Sequence, residues 1–294
     1  MAAVLRSMAG KPAPKPKLAI VKPEAIVVDL PEEASVPSHD LNDYHILIHG
    51  EKKIGKTTLA TMGDGKVFVM TFDPIRKALP IIQRFMPDWA TFAAYLKELE
   101  KRAKSGKFPY DRIVIDGADI WYRYCQKWVE KKLVVDHISE EKWGRGWDML
   151  KETFQQAVIG IMNLPCGVWF ISHSAWKEVE TREPGRKIEK LVPLIKAGGE
   201  EILNGRVDAW FAYDYSGKDR ILIVRGDERT GAGCGIKGHF LTPKGRQVVE
   251  VPMGGSEEEA WKNLVHAFEN KQTFITVAES KLQAAKKGGV PGKK

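Results

Sequence analysis

Gly50, Gly55, Lys56 and Thr57 stand in the spacing G-x-x-x-x-G-K-[ST], inside the run Gly50-Glu51-Lys52-Lys53-Ile54-Gly55-Lys56-Thr57-Thr58. These residue types at this spacing suit the holding of a polyphosphate. The glycines let the backbone curl so that successive N–H groups point inward at phosphate oxygens. Lys56 then reaches the β- and γ-phosphates, and the Thr57 hydroxyl ligates Mg²⁺. The ion needs a carboxylate from a neighbouring strand end. Tyr110-Asp111-Arg112-Ile113-Val114-Ile115-Asp116-Gly117 offers one, an apolar run ending in Asp at the Walker B position about sixty residues further on. Gly117 follows directly, so no glutamate stands beside Asp116 to serve as a base.

The surrounding chain is spelled to position these groups. Tyr44-His45-Ile46-Leu47-Ile48-His49 reads as a strand feeding the glycine turn, and Leu59-Ala60-Thr61-Met62 as the helix behind it. The first turn of such a helix adds unpaired N–H groups and a positive dipole end. Residues 66–72 read as a buried strand ending at Asp73-Pro74, and residues 88–105 as a helix. Amphipathic helices follow over 120–133 and 143–163, where Trp121, Trp128, Trp143, Trp147 and Phe154 read as core or helix packing rather than a base-stacking surface. Residues 166–173 form a further apolar strand ending in Ser172-His173. Strand C-termini face the ligand in sheets of this kind, so His173 is a candidate sensor of the γ-phosphate or of the attacking water. A hydrogen-bonded strand-end histidine is the alternative. Residues 174–200, with Lys177, Arg182, Arg186, Lys187, Lys190 and Lys196, read as a long functional or disordered connection. Residues 207–215 and 219–225 predict a hairpin around Ser216-Gly217-Lys218. Gly231, Gly233, Gly235 and Gly238 around Lys237 predict a flexible loop, and Ser256 with Glu259 a capping box opening a helix to about Asn270.

Charge is concentrated at the ends. Residues 1–23 and 281–294 each hold five lysines or arginines and no acid; without those ten, the 46 basic residues fall to 36 against 38 acidic ones. The net +8 of the 294-residue chain is thus a property of its tails, which suit an anionic surface or simple solubility. The chain divides into a disordered Pro/Lys-rich arm (1–40), a nucleotide-binding core (41–254), a helical segment (255–277) and a basic disordered tail (278–294). Cys125, Cys166 and Cys234 lie far apart, which argues for reduced thiols with no metal site or disulfide framework. No apolar run approaches a membrane span and no signal core opens the chain, so a soluble cytoplasmic protein is expected.

GEKKIGKTT, VFVMTFD, RIVIDGADI, VWFISHS and the late VDAWFAYDY…RILIVRG stand in the order of a RecA-like core. Over residues 44–250 the chain resembles the phage-encoded P-loop nucleotide-binding proteins of the AAA class, including the short RecA-like ATPases that act as single-strand annealing or recombination proteins. The resemblance implies an α/β fold with a mostly parallel central sheet, helices on both faces and a late β-hairpin. It implies ATP and Mg²⁺, with Lys56 and Thr57 on the triphosphate and ion and Asp116 on the metal through water. Asp73 falls where the carboxylate that activates the attacking water stands, a position usually filled by Glu. His173 falls at the sensor position, and 174–190 at the loop that touches single-stranded DNA, with Lys177, Arg182, Arg186 and Lys187 as contacts. Arg225 resembles a basic finger reaching a neighbour's γ-phosphate, with Arg229 and Lys237 as further candidates, which implies a ring or filament. The function so implied is ATP-driven recombination or replication on single-stranded DNA in a phage-infected host, alongside a single-strand binding protein. The alternatives are a non-hydrolysing nucleotide-dependent assembly protein and a small-molecule P-loop kinase with residues 182–190 as its lid.

Overall fold

The computed structural model describes residues 32–271 apart from 75–76, 142–143, 182 and 184. The expected basic tail, most of the expected arm, Trp143 and Arg182 therefore lie outside the described residues. From Pro37 onward the described residues belong to one compact unit.

In chain order the unit runs β1 (Ile46–Gly50), α1 (Lys56–Thr61), β2 (Val67–Thr71), β3 (Ile82–Phe85), α2 (Trp89–Lys104), β4 (Arg112–Asp116), α3 (Ala118–Leu133) and α4 (Arg145–Met162). It continues with β5 (Gly167–Glu180), β6 (Lys187–Pro193), α5 (Ala197–Asn204), β7 (Ala209–Ser216), β8 (Asp219–Ile223), β9 (Gly233–Cys234), β10 (Glu250–Pro252) and α6 (Glu257–Phe268). Across the sheet the order is β10-β8-β7-β1-β5-β4-β2-β3, with β6 on β5 and β9 on β7. From β7 through β3 the neighbours are parallel, while β8, β9, β10 and β6 are antiparallel additions. This is the α/β architecture expected, with its late hairpin in place.

The central strands are apolar almost without interruption because both faces of the sheet are covered. Their alternation sorts side chains into two cores. Leu47, Phe68, Met70, Ile113, Ile115, Val168 and Phe170 pack with Phe92, Trp121, Phe154 and Leu203 from α2, α3, α4 and α5. Ile46, Ile48, Val69, Val114, Trp169 and Ile171 pack on the other face with Leu59 of α1 and Leu264 of α6. The helices begin where the residue chemistry allows. Asp88 accepts from the Thr91 N–H at 2.7 Å to open α2, and Ser256 accepts from the Glu259 N–H at 3.1 Å to open α6. Of the helix aromatics, Trp121 and Phe154 are fully buried as expected, whereas Trp147 stays 36% exposed.

Two segments differ from the sequence-based expectation. Much of the stretch expected to be a long loop or disordered is regular structure: β5 runs on to Glu180, β6 covers Lys187–Pro193, and α5 starts at Ala197. The strands form through cross-strand pairing, Trp176 opposite Leu191 and Val179 opposite Ile188, which a charge-rich local pattern conceals. The glycines at 231–238 are also not a purely flexible loop. Gly233-Cys234 is β9, and a Cβ on Gly231 or Gly233 would lie 2.7 or 2.6 Å from the Trp210 ring, so these glycines permit close packing.

Candidate active site

Because β1, β2, β4 and β5 are parallel, their C-terminal tips share one edge of the sheet. The register sets Gly50 beside His173, Asp116 beside Ile171, and Thr71 beside Asp116. Ligands of open α/β sheets bind outside such tips.

The glycine turn leaves β1 under tight constraint. A Cβ on Gly50 would lie 2.2 Å from the Tyr213 carbonyl oxygen, so only glycine fits there. Gly55 takes φ +110° at the start of α1, where an L side chain would be strained. Ile54 is buried in the second core and pins the loop's middle. Lys56 is buried, and its Nζ donates to the carbonyls of Gly50 at 2.8 Å and Glu51 at 2.6 Å. The Thr57 hydroxyl donates to Asp116 Oδ2 at 3.0 Å. Lys56, Thr57 and Asp116 thus converge at one end of a cleft of ≈590 Å³. Lys52, Lys53, Gly55 and Thr58 line the same cleft from the turn, Asp73 from just past the end of β2, and His173 from within β5, which does not end there as expected but runs on past its last pairing with β1. Gly50, Glu51 and Ile54 shape the turn without lining the cleft; Gly50 and Glu51 give Lys56 the carbonyl seat.

Asp73 follows β2 and is placed by its own backbone, whose carbonyl accepts from the buried Thr71 hydroxyl at 2.8 Å. His173 lies with Nδ1 3.5 Å from Asp119 Oδ1, and Arg123 Nη2 lies 3.9 Å from the second Asp119 oxygen. Asp119, 4% exposed, lies within the RIVIDGADI run, though the sequence alone assigns it no role. Its only local signal is the spacing Asp116-Gly117-Ala118-Asp119, which puts a second carboxylate in the first turn of α3.

His49 is marked by the sequence only as a strand residue. It is fully buried beneath the turn, with Nδ1 2.8 Å from Ser174 Oγ and Nε2 2.7 Å from the Gly231 carbonyl. Burial pushes its imidazole down to about 4; the Gly231 bond opposes that shift and the Lys56 ammonium adds to it. Arg112, at the other end of the Asp116 strand, is also fully buried. Its guanidinium sits 4.4 Å from the Trp169 ring and 5.1 Å from the Trp261 ring and donates to the Met62 carbonyl at the end of α1. Burial lowers its pKa to about 10, still charged at neutral pH, so the cation clamps α1 to β4, β5 and α6.

The other predicted residues lie away from the cleft. Lys177 and Lys187 sit on the β5–β6 ribbon and Arg186 just ahead of β6, each beside an acid: Glu200 at 3.4 Å for Lys177, Glu183 at 3.1 Å for Arg186 and Glu178 at 2.6 Å for Lys187. Arg225 does not project as a free finger. It is half-buried and donates from Nη1 to the Cys234 carbonyl at 2.9 Å, tying the chain after β8 to β9. Arg229 and Lys237 are exposed on the loops around β9.

The oxygen donors Thr57 and Asp116 suit a hard ion such as Mg²⁺, which binds one or two protein oxygens and takes the rest from phosphates and water. No cluster of three or more His, Cys, Asp or Glu suited to a metal occurs among the described residues. Among the described residues, no helix is long and apolar enough to cross a membrane.

A curated relative, the SPbeta prophage-derived uncharacterized protein YorG of Bacillus subtilis (strain 168), is 28% identical over 168 residues, covering 55% of this chain and 51% of that protein. The chain therefore spans about half the length of that relative. Among solved structures, the KaiC-like protein PH0186 from Pyrococcus horikoshii OT3 aligns with a TM-score of 0.39 at 13% identity, covering 74% of this chain and 87% of that one. The AAA domain family matches residues 42–238, from just ahead of β1 to just past β9, and with two thirds of its length inside that match the chain belongs to the AAA domain family, as a P-loop ATPase domain.

Proposed function

We propose that the chain is a Mg²⁺-dependent ATPase of phage origin that acts on single-stranded DNA during recombination or replication, as a ring or filament in the host cytoplasm. The observation that carries the enzymatic part is the convergence of Lys56, Thr57 and Asp116 on one cleft. The prophage origin of the Bacillus subtilis relative supports the phage setting.

On binding, Lys56 exchanges the Gly50 and Glu51 carbonyls for β- and γ-phosphate oxygens. The Thr57 hydroxyl and the Asp116 carboxylate would hold the Mg²⁺, which would supply positive charge beside the transferring phosphoryl group. Asp73 accepts the proton of the attacking water from across the cleft. His173, steadied by Asp119, reads the γ-phosphate, and β5 carries that reading outward along the ribbon that would meet DNA. Binding there rests on phosphate contacts, with little sequence preference.

One observation favours a second reading. The ribbon cations already have acid partners, and Asp73 is a short carboxylate, which suits a nucleotide-dependent assembly protein with slow hydrolysis. Arg186, just ahead of β6, and Lys187 lie outside the cleft, which counts against a kinase lid.

Steady-state ATP hydrolysis with and without single-stranded DNA, on wild type and Asp73→Ala, tests the proposal. We expect DNA-stimulated turnover that falls about 10²-fold or more in the variant while ATP affinity holds. ATP-dependent DNA binding without turnover would select the assembly reading. Turnover indifferent to both DNA and Asp73 would leave only the P-loop.

A further inference from the structure

His49 holds both strands of the ribbon to the phosphate-binding turn. It is the last β1 residue before Gly50, and Gly50 is one of the two carbonyls on which Lys56 rests. A carbonyl oxygen can only accept, so Nε2 carries the proton donated to Gly231 and Nδ1 accepts from the Ser174 hydroxyl. Each bond leads into a different strand. Ser174 is the residue after His173 and opens the part of β5 that pairs with β6, opposite Pro193. Gly231 donates its N–H to the Leu191 carbonyl of β6 at 2.8 Å, and the Leu191 N–H donates to Arg229 at 2.7 Å. The imidazole packs over the Trp210 ring, 6.0 Å away at an interplanar angle of 28°, which limits its other orientations.

We infer that His49 is a positioning residue that couples occupation of the cleft to the set of the β5–β6 ribbon. This rests on the ATP-binding reading of the cleft. When Lys56 leaves the Gly50 carbonyl for a phosphate, the Gly50 peptide loses a partner and shifts. Its neighbour His49 passes that shift to β5 through Ser174 and to β6 through Gly231 and Leu191. His173 reports on the same cleft one residue before Ser174, so the ribbon root receives both signals. The coupling needs a ring with one donor and one acceptor, which a merely space-filling aromatic lacks.

The test is amide hydrogen exchange over residues 174–193, with and without Mg·ATP, on full-length wild type, His49→Phe, Ser174→Ala and Ser174→Thr, with ATP affinity measured alongside. Wild type should show a nucleotide-dependent change in ribbon exchange of about three-fold or more. His49→Phe and Ser174→Ala should lose at least half of it while ATP affinity stays within about three-fold, and Ser174→Thr, which keeps the hydroxyl, should retain it. Should His49→Phe fail to fold, the pair at Ser174 decides, since that side chain is only half-buried. Normal ATP affinity with a ribbon change unaltered in Ser174→Ala, or absent from wild type, overturns the coupling. Absence of ATP binding in wild type overturns the ATPase reading and the coupling with it.

Discussion

The cleft and the ribbon both carry lysines, and they hold them differently. Lys56 is buried, and among its contacts are two main-chain carbonyls that a triphosphate can displace. Lys177 and Lys187 are about half exposed and rest on the carboxylates of Glu200 and Glu178. A DNA phosphate must compete with those acids in a solvent that screens every partner. The difference teaches that a count of cations does not identify an anion site. What matters is whether the cation is held out of solvent at a lined cleft, where its field is not screened. By that measure the buried Lys56 suits a polyphosphate, and the half-exposed ribbon lysines suit at most a salt-sensitive, adjustable contact.

The comparison breaks most clearly at Lys56. Lys56→Ala should reduce ATP turnover by about 10³-fold or abolish it, since a buried, preorganised cation at the developing charge is lost. Full activity in that variant, measured by phosphate release, would remove the cleft from consideration.

A smaller effect is expected at His49, beneath the turn. Its folded pKa of about 4 lies below the ordinary value of 6.5, so between these values the unfolded chain takes the proton first. Its contribution is therefore intact above about pH 6.5 and is lost as pH falls toward about 4, at roughly 1.4 kcal/mol per pH unit. Wild type should lose about 2 kcal/mol between roughly pH 7 and pH 5 that His49→Phe does not lose. Thermal melts of the two proteins at both pH values check this, and equal slopes would exonerate the imidazole.

Least is expected on the ribbon. Lys177→Ala and Lys187→Ala should each leave stability within about 1 kcal/mol, because exposed ion pairs contribute little. Each should weaken single-stranded DNA binding only a few-fold and lower the salt slope by roughly 0.7. A loss of ATP turnover in Lys177→Ala matching that in Lys56→Ala would erase the distinction between ribbon and cleft.

Contiguous chemistry made the phosphate-binding half of the site legible. The Gly50–Thr58 turn needs its own residues and a strand before it, all within one short run. The Asp116 strand was legible for a similar reason, as an apolar run with one acid at its end. The hairpin between β7 and β8 was marked by its own Gly217 turn, and α6 by the Ser256–Glu259 box.

What the amino-acid order determined by itself, then, was the set of local devices: the curled turn, the buried strands, the caps, and the acid at a strand tip. Only the tertiary structure decided which distant residues complete them. β6 is a strand because β5 lies beside it, and nothing within 187–193 announces that partner. Asp119 gains its meaning from His173, 54 positions away, and His49 from Ser174 and Gly231, 125 and 182 positions away. Arg112 likewise looks like a surface cation at a strand start until Trp169 and Trp261 close over it. Backbone propensity and turn chemistry act over a few residues and can be read there. A hydrogen bond or a ring contact across the sheet forms only once the parallel order of β7, β1, β5, β4 and β2 has brought the two segments together.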